Sequence, residues 1–155
     1  MSQPIRKNVA TKKKTKNTKS IKRVHPKYGT SKLEDRFAKE FLDRMGVEYV
    51  RQYEAKEIGR FYDFYIPSAR CILEIDGDFY HGYGLLHEQK NPMQKHNEWV
   101  DRQKDMWAAS HGIALLRIWE HDINDHPEKV RKMLKEYIGE QTEKKIKMDN
   151  KNKRH

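Results

Sequence analysis

The stretch from Arg60 to Gly82, RFYDFYIPSARCILEIDGDFYHG, constrains this chain more than any other. Two apolar runs, Phe61 to Ile66 and Arg70 to Asp76, flank Pro67-Ser68-Ala69 and read as a β-hairpin. Side chains alternate between the faces of a strand, so Glu74 and Asp76 share one face while Cys71, Leu73 and Ile75 take the other. The hairpin sets Asp63 on the neighbouring strand, beside Glu74. Converging carboxylates on adjacent strands make a hard-oxygen site suited to Mg²⁺ or Mn²⁺ rather than zinc. Solvated edge strands with surface acids are the plainer alternative. Against it, Phe61, Phe64, Ile72 and Leu73 read as buried, and unpaired carboxylates beside a core are costly. His81 follows five residues after Asp76.

The remaining elements are read from periodicity. Ser31-Lys-Leu-Glu34 has the form of a capping box, with Ser31 at the N-cap and Glu34 reaching back. Leu33, Phe37, Phe41 and Leu42 then recur at helical spacing up to Gly46, predicting a helix over about 32–45. Val47 to Tyr53 reads as a strand, and Gly77 to Lys95 as a long functional loop. A second helix is expected over about 96–110, burying Trp99, Val100, Met106 and Trp107 and stopping at Gly112. Ile113 to Trp119 is a near-continuous apolar strand of the kind found at the centre of a sheet. Pro127, Val130, Met133, Leu134, Tyr137 and Ile138 give a third helix. The order α-β-β-β-α-β-α predicts an α/β layered fold, a mixed central sheet flanked by helices.

Charge divides the chain into three parts. The net charge is +10, yet residues 1–32 hold eleven Lys/Arg and no acid. Residues 139–155 hold six Lys/Arg and three acids, which leaves residues 33–138 with a net charge of −4. A basic arm over 1–30, a folded domain over 31–140 and a charged C-terminal tail over 141–155 follow from this. The arm has too little apolar surface to fold alone. Its Lys12, Lys13, Lys14, Lys16, Lys19, Lys22 and Arg23 suit the phosphates of a nucleic acid, and a solubilising extension is the weaker alternative. No apolar run approaches the ~20 residues of a membrane helix, and no signal-peptide segment is evident, so a soluble, cytoplasmic protein is expected. A single cysteine, Cys71, excludes an internal disulfide and a cysteine-rich zinc site.

With these elements in place, Asp63, then Glu74-Ile75-Asp76, after a first helix bearing Glu34, resembles the PD-(D/E)xK nucleases of the restriction-endonuclease core. Asp76 stands where that family carries lysine. Glu34, Asp63 and His81, with Asn97 and Asp101 on the following helix, are similar in order to the very-short-patch repair endonucleases and the EDxHD homing endonucleases. Phe79-Tyr80-His81 and the closing run GIALLRIWE (Gly112 to Glu120) share that likeness, which covers about residues 31–138. The resemblance implies a metal-dependent DNA endonuclease that nicks one strand, with Glu34, Asp63, Glu74, Asp76, His81 and Asp101 in catalysis and Phe79, Tyr80 and Asn97 at the DNA. The cysteines of the repair enzymes' structural zinc are absent.

The chemistry assigns roles within that set. Asp63, Glu74 and the main-chain carbonyl of Ile75 offer oxygen ligands to Mg²⁺. His81 titrates near neutrality and serves as general base or transition-state donor. Asp76 either holds His81, binds a second ion, or forms an Asx turn with Gly77. Glu34 is either a site acid or only the capping-box partner, and Asp101 either a site residue or a solvated helix acid. Arg117 is a phosphate contact or a partner for the site acids. Monomeric action on DNA is expected. The alternative function is a non-catalytic DNA-binding or phage virion-associated protein that keeps the nuclease fold.

Overall fold

The computed structural model describes residues 30–154, so the basic arm and its candidate DNA contacts from Lys12 to Arg23 lie outside the described residues. Helix α1 (Thr30–Phe37) runs through a π-helical stretch (Ala38–Leu42) into a final turn, α2 (Asp43–Met45), which ends at Gly46 with φ of 68°. Strands β1 (Val50–Ala55), β2 (Arg60–Ile66) and β3 (Cys71–Asp76) follow. A single helical turn, α3 (Asp78–His81), precedes the long helix α4 (Pro92–Ser110). Strand β4 (Ala114–Trp119), the short helix α5 (Glu120–Asp125) and helix α6 (Pro127–Lys153) complete the chain.

The sheet has the order β1-β2-β3-β4, antiparallel through β3 and parallel between β3 and β4. Alternation along β3 sends Leu73 and Ile75 to one face and Ile72, Glu74 and Asp76 to the other. On the first face, Phe37, Phe41 and Leu42 pack with Phe64, Leu73 and Ile75, and Val130, Leu134 and Ile138 of α6 close the layer. On the second, Trp107 and Ala108 of α4 cover Ala55, Tyr62 and Ile72. The protein is therefore α/β, a four-stranded mixed sheet with helices on both faces. No helix among the described residues is long and apolar enough to cross a membrane.

Several expectations are corrected. Helix α1 begins at Thr30, so Ser31 lies inside it rather than at an N-cap. The Glu34 carboxylate turns instead to β1, where it accepts a hydrogen bond from Gln52. The expected loop over 77–95 contains α3 and the first turn of α4, which opens four residues early on a reciprocal Asn91–Gln94 capping box. Trp99 and Met106 are not buried: they are 47% and 73% exposed. The inward stripe of α4 is largely polar, with Gln94 and Lys104 buried beside Trp107 and Ala108. Among the described residues β4 pairs with β3 alone and lies at the sheet edge. Its apolar run reflects cover on both faces, Ile118 in one core and Ile113 in the other, and not a central position. Strand β1 starts later than the predicted Val47 because Val47 and Tyr49 pack onto the core from the connection. The charged stretch from 141 onward continues α6 as far as Lys153.

Candidate active site

The β2–β3 ladder is paired from Ile66↔Cys71 to Phe64↔Leu73. At the next step two side chains take over the bonding. The Asp63 N–H donates to Glu74 Oε1 at 2.7 Å, and the Ile75 N–H donates to Asp63 Oδ2 at 2.7 Å. Each carboxylate is thus fixed by the backbone of the opposite strand, and the two are held together. Helix α1 brings Glu34 to the same place. Glu34 Oε2 accepts from Gln52 Nε2 at 3.1 Å, with Arg51 Nη2 3.7 Å away. Gln52 reaches it from a backbone φ of 52°, an unusual conformation for a non-glycine residue within a strand.

Electrostatics reflect this crowding. Burial raises the Asp63 pKa well above the ordinary carboxylate range, and the charges of Glu74 and Glu34 add to it. Burial also raises Glu34, against a hydrogen bond from the Asp63 carboxyl and the charge of Arg51. Without a cation, the cheapest relief for such a group is a proton.

One cation comes from a residue that the sequence reading missed. Lys104 of α4 is buried, and its Nζ lies 2.5 Å from Glu74 Oε2. Burial disfavours the ammonium, but the charges of Glu74 and Asp63 outweigh it, so the Lys104 pKa is raised and the group stays protonated. Tyr62 holds this turn of the helix, its hydroxyl donating to the Lys104 carbonyl at 2.6 Å with its ring 5.0 Å from Nζ. A lysine therefore meets the second acid from a helix, whereas the strand position carries Asp76. The signal was present: Gln94, Asn97, Asp101, Lys104 and Ala108 follow helical spacing, a stripe that a search for apolar periodicity passes over.

The second group is built on α3. Gln94 Nε2 donates to the Phe79 carbonyl at 2.6 Å and Asn97 Nδ2 to the Tyr80 carbonyl at 2.8 Å, fastening this single turn to α4. His81 Nδ1 lies 2.7 Å from Asp101 Oδ2, and His81 Nε2 lies 3.6 Å from Asp76 Oδ1. Burial opposes the imidazolium, but the Asp101 hydrogen bond and the Asp76 charge outweigh it and raise the His81 pKa. Asp76 is pushed up to about 6 by burial, despite His81 and Arg117. Asp76, His81 and Asp101 present ligand atoms close enough together to hold a metal ion.

Arg117 of β4 joins the two groups. Its Nη1 lies 3.3 Å from Asp76 Oδ1, 3.3 Å from Asp101 Oδ1 and 3.8 Å from Glu74 Oε2, while Nη2 is 2.7 Å from Asp105 Oδ1. Burial alone would lower its pKa, yet these acids raise it. Of its two expected roles the structure shows the partner for the site acids, and an ion between Asp76 and Asp101 would share them with this guanidinium.

The structure thus gathers Glu34, Asp63 and Glu74 in one cluster and Asp76, His81 and Asp101 in a second. Ile75 adjoins the first through its N–H. Asn97, expected at the DNA, engages the α3 backbone. Phe79 is 63% exposed at the tip of α3, with Tyr80 half-buried beside it at 5.5 Å between ring centroids. No protein-family model matches the chain, and no curated protein matches it.

Proposed function

We propose that this chain is a metal-dependent endonuclease that hydrolyses phosphodiester bonds in DNA, nicking one strand. The observation that carries the reading is the convergence of Asp63 and Glu74 at the end of the β2–β3 ladder, with Lys104 on Glu74 and Glu34 alongside. The donor set fits Mg²⁺ or Mn²⁺: it consists of hard oxygens, with Asp63 and Glu74 held together by the opposite strands' backbone and Glu34 alongside. Asp63, Glu74 and the Ile75 carbonyl would hold the ion. When bound, it supplies charge stabilisation at the phosphoryl oxygens and a more acidic water.

The protein's own groups have separable tasks. Lys104 pairs with Glu74 and holds it in place, and it adds a fixed positive charge beside the phosphate's expected position. Asp101 binds Nδ1 of His81, which leaves Nε2 as the nitrogen that can accept a proton. Arg117 limits repulsion among Asp76, Asp101 and Glu74.

The second reading, a non-catalytic DNA-binding protein of the same fold, draws on Lys104 and Arg117, which already partner the acids of both clusters. Supercoiled plasmid incubated with the purified full chain separates the two. Nicked circles in Mg²⁺ and none in EDTA support the nuclease, and intact plasmid under both conditions with retained DNA binding supports the second reading.

A further inference from the structure

Arg36, Arg51, Arg117 and Arg131 each face a carboxylate. Arg60, the first residue of β2, has no ion pair among the described residues. Its Nε is buried, and among the described residues it is the side-chain nitrogen so placed without a hydrogen-bond partner. A buried N–H left unpaired costs about 1–3 kcal/mol. An atom so enclosed is out of an external anion's reach, so an outside acceptor would meet this half-buried side chain through its other guanidinium nitrogens. The guanidinium carbon lies 5.8 Å from the ring centroid of Trp99, which is 47% exposed. The exposed His96 tilts onto the same indole at 5.8 Å. Arg60 and His96 thus both lie against the half-exposed Trp99 ring, and among the described residues the guanidinium has no ion pair.

We propose that Arg60 binds a backbone phosphate of the DNA substrate near the cleaved bond, with Trp99 as the plane that orients the guanidinium. The inference rests on DNA as the substrate in the reading above. A guanidinium presents a planar fork of N–H donors that matches phosphate oxygens, and an indole face holds that fork without consuming a donor. Arg60 is three residues from Asp63 on one strand, ~10 Å at ~3.3 Å per residue. That span places the contact on a phosphate flanking the cleaved bond rather than on the scissile phosphate itself. Such a contact carries no sequence information and sets the register of the strand over Asp63 and Glu74.

The test uses the full chain, a fluorescently labelled DNA duplex and EDTA, with anisotropy read across a salt series. Arg60→Gln should weaken binding on every sequence alike and make the slope of log K against log salt shallower by ~0.9, one phosphate contact. Arg60→Lys should keep the slope and recover part of the affinity. Trp99→Leu, at a half-exposed position, should weaken binding in the same direction with wild-type thermal stability. Wild-type affinity and slope in Arg60→Gln would overturn the assignment. So would inorganic phosphate that raises the melting temperature of the wild type but not of Arg60→Gln, with DNA binding equal in the two. Plasmid nicking is scored separately. A chain that binds DNA through Arg60 without nicking refutes the nuclease and leaves the contact standing, whereas nicking with an Arg60-independent slope refutes the contact alone.

Discussion

Lys104 shows how one buried charge governs this site. It neutralises Glu74 at 2.5 Å while Asp63 and Glu34 crowd the same space. Lys104→Met removes the cation at similar volume and leaves the acids uncompensated, so we expect a loss of about 3 kcal/mol in urea unfolding together with lost nicking. Adding Glu74→Gln should restore much of the stability and none of the activity. His81 gives a second prediction. Asp101 and Asp76 raise its pKa against the opposing effect of burial. As a base it must be neutral, so the single-turnover rate should rise with pH through an apparent pKa above the unperturbed ~6.5. Stability has the opposite sign. A folded pKa above the unfolded one contributes stability fully present below the unfolded value and lost as pH rises through the folded value. His81→Ala should flatten the rate profile and slow the reaction by ~10²–10⁴-fold. An unchanged profile would assign the proton transfer to another group. Asp63, Glu74 and His81 were legible in the sequence because strand alternation and a short spacing place them. Lys104 was not, because its partner lies thirty positions away and helix–sheet docking decides the meeting.

At the scale of elements, legibility followed local signals. Gly46 and Gly112 marked helix ends and take φ of 68° and 63°, and the turn at Pro67-Ser68-Ala69 marked the hairpin. The helix α3 escaped notice because a single turn has no periodicity; it depends on bonds from α4. The edge position of β4 escaped for a related reason, since an apolar run reports cover above and below but not lateral neighbours. Asn97→Ala tests the fastening of α3. Loss of its bond to the Tyr80 carbonyl should cost about 1 kcal/mol or less globally. Amide exchange over residues 79–82 should accelerate, and kcat should fall more than DNA affinity. A fall in affinity with kcat intact would instead support a direct DNA contact for Asn97.

For the whole molecule, charge is segregated: the folded part is mildly acidic and the first 32 residues carry eleven positives. An acidic site approaching a polyanion gains from a basic arm that supplies sequence-independent affinity. Deleting residues 1–28, ahead of α1, should weaken binding to all sequences and flatten the salt slope, with the rate at saturating DNA little changed. Equal binding and slope would mean that the arm serves another partner. The central claim, that Asp63 is a metal ligand of a phosphodiesterase, is tested most directly by Asp63→Asn on supercoiled plasmid in Mg²⁺. The amide oxygen can still accept the Ile75 N–H, and removal of a charge from beside Glu74 and Glu34 should leave the fold at least as stable. The variant should fold, bind DNA and produce no nicked circles. Nicking by this variant at the wild-type rate would contradict the claim.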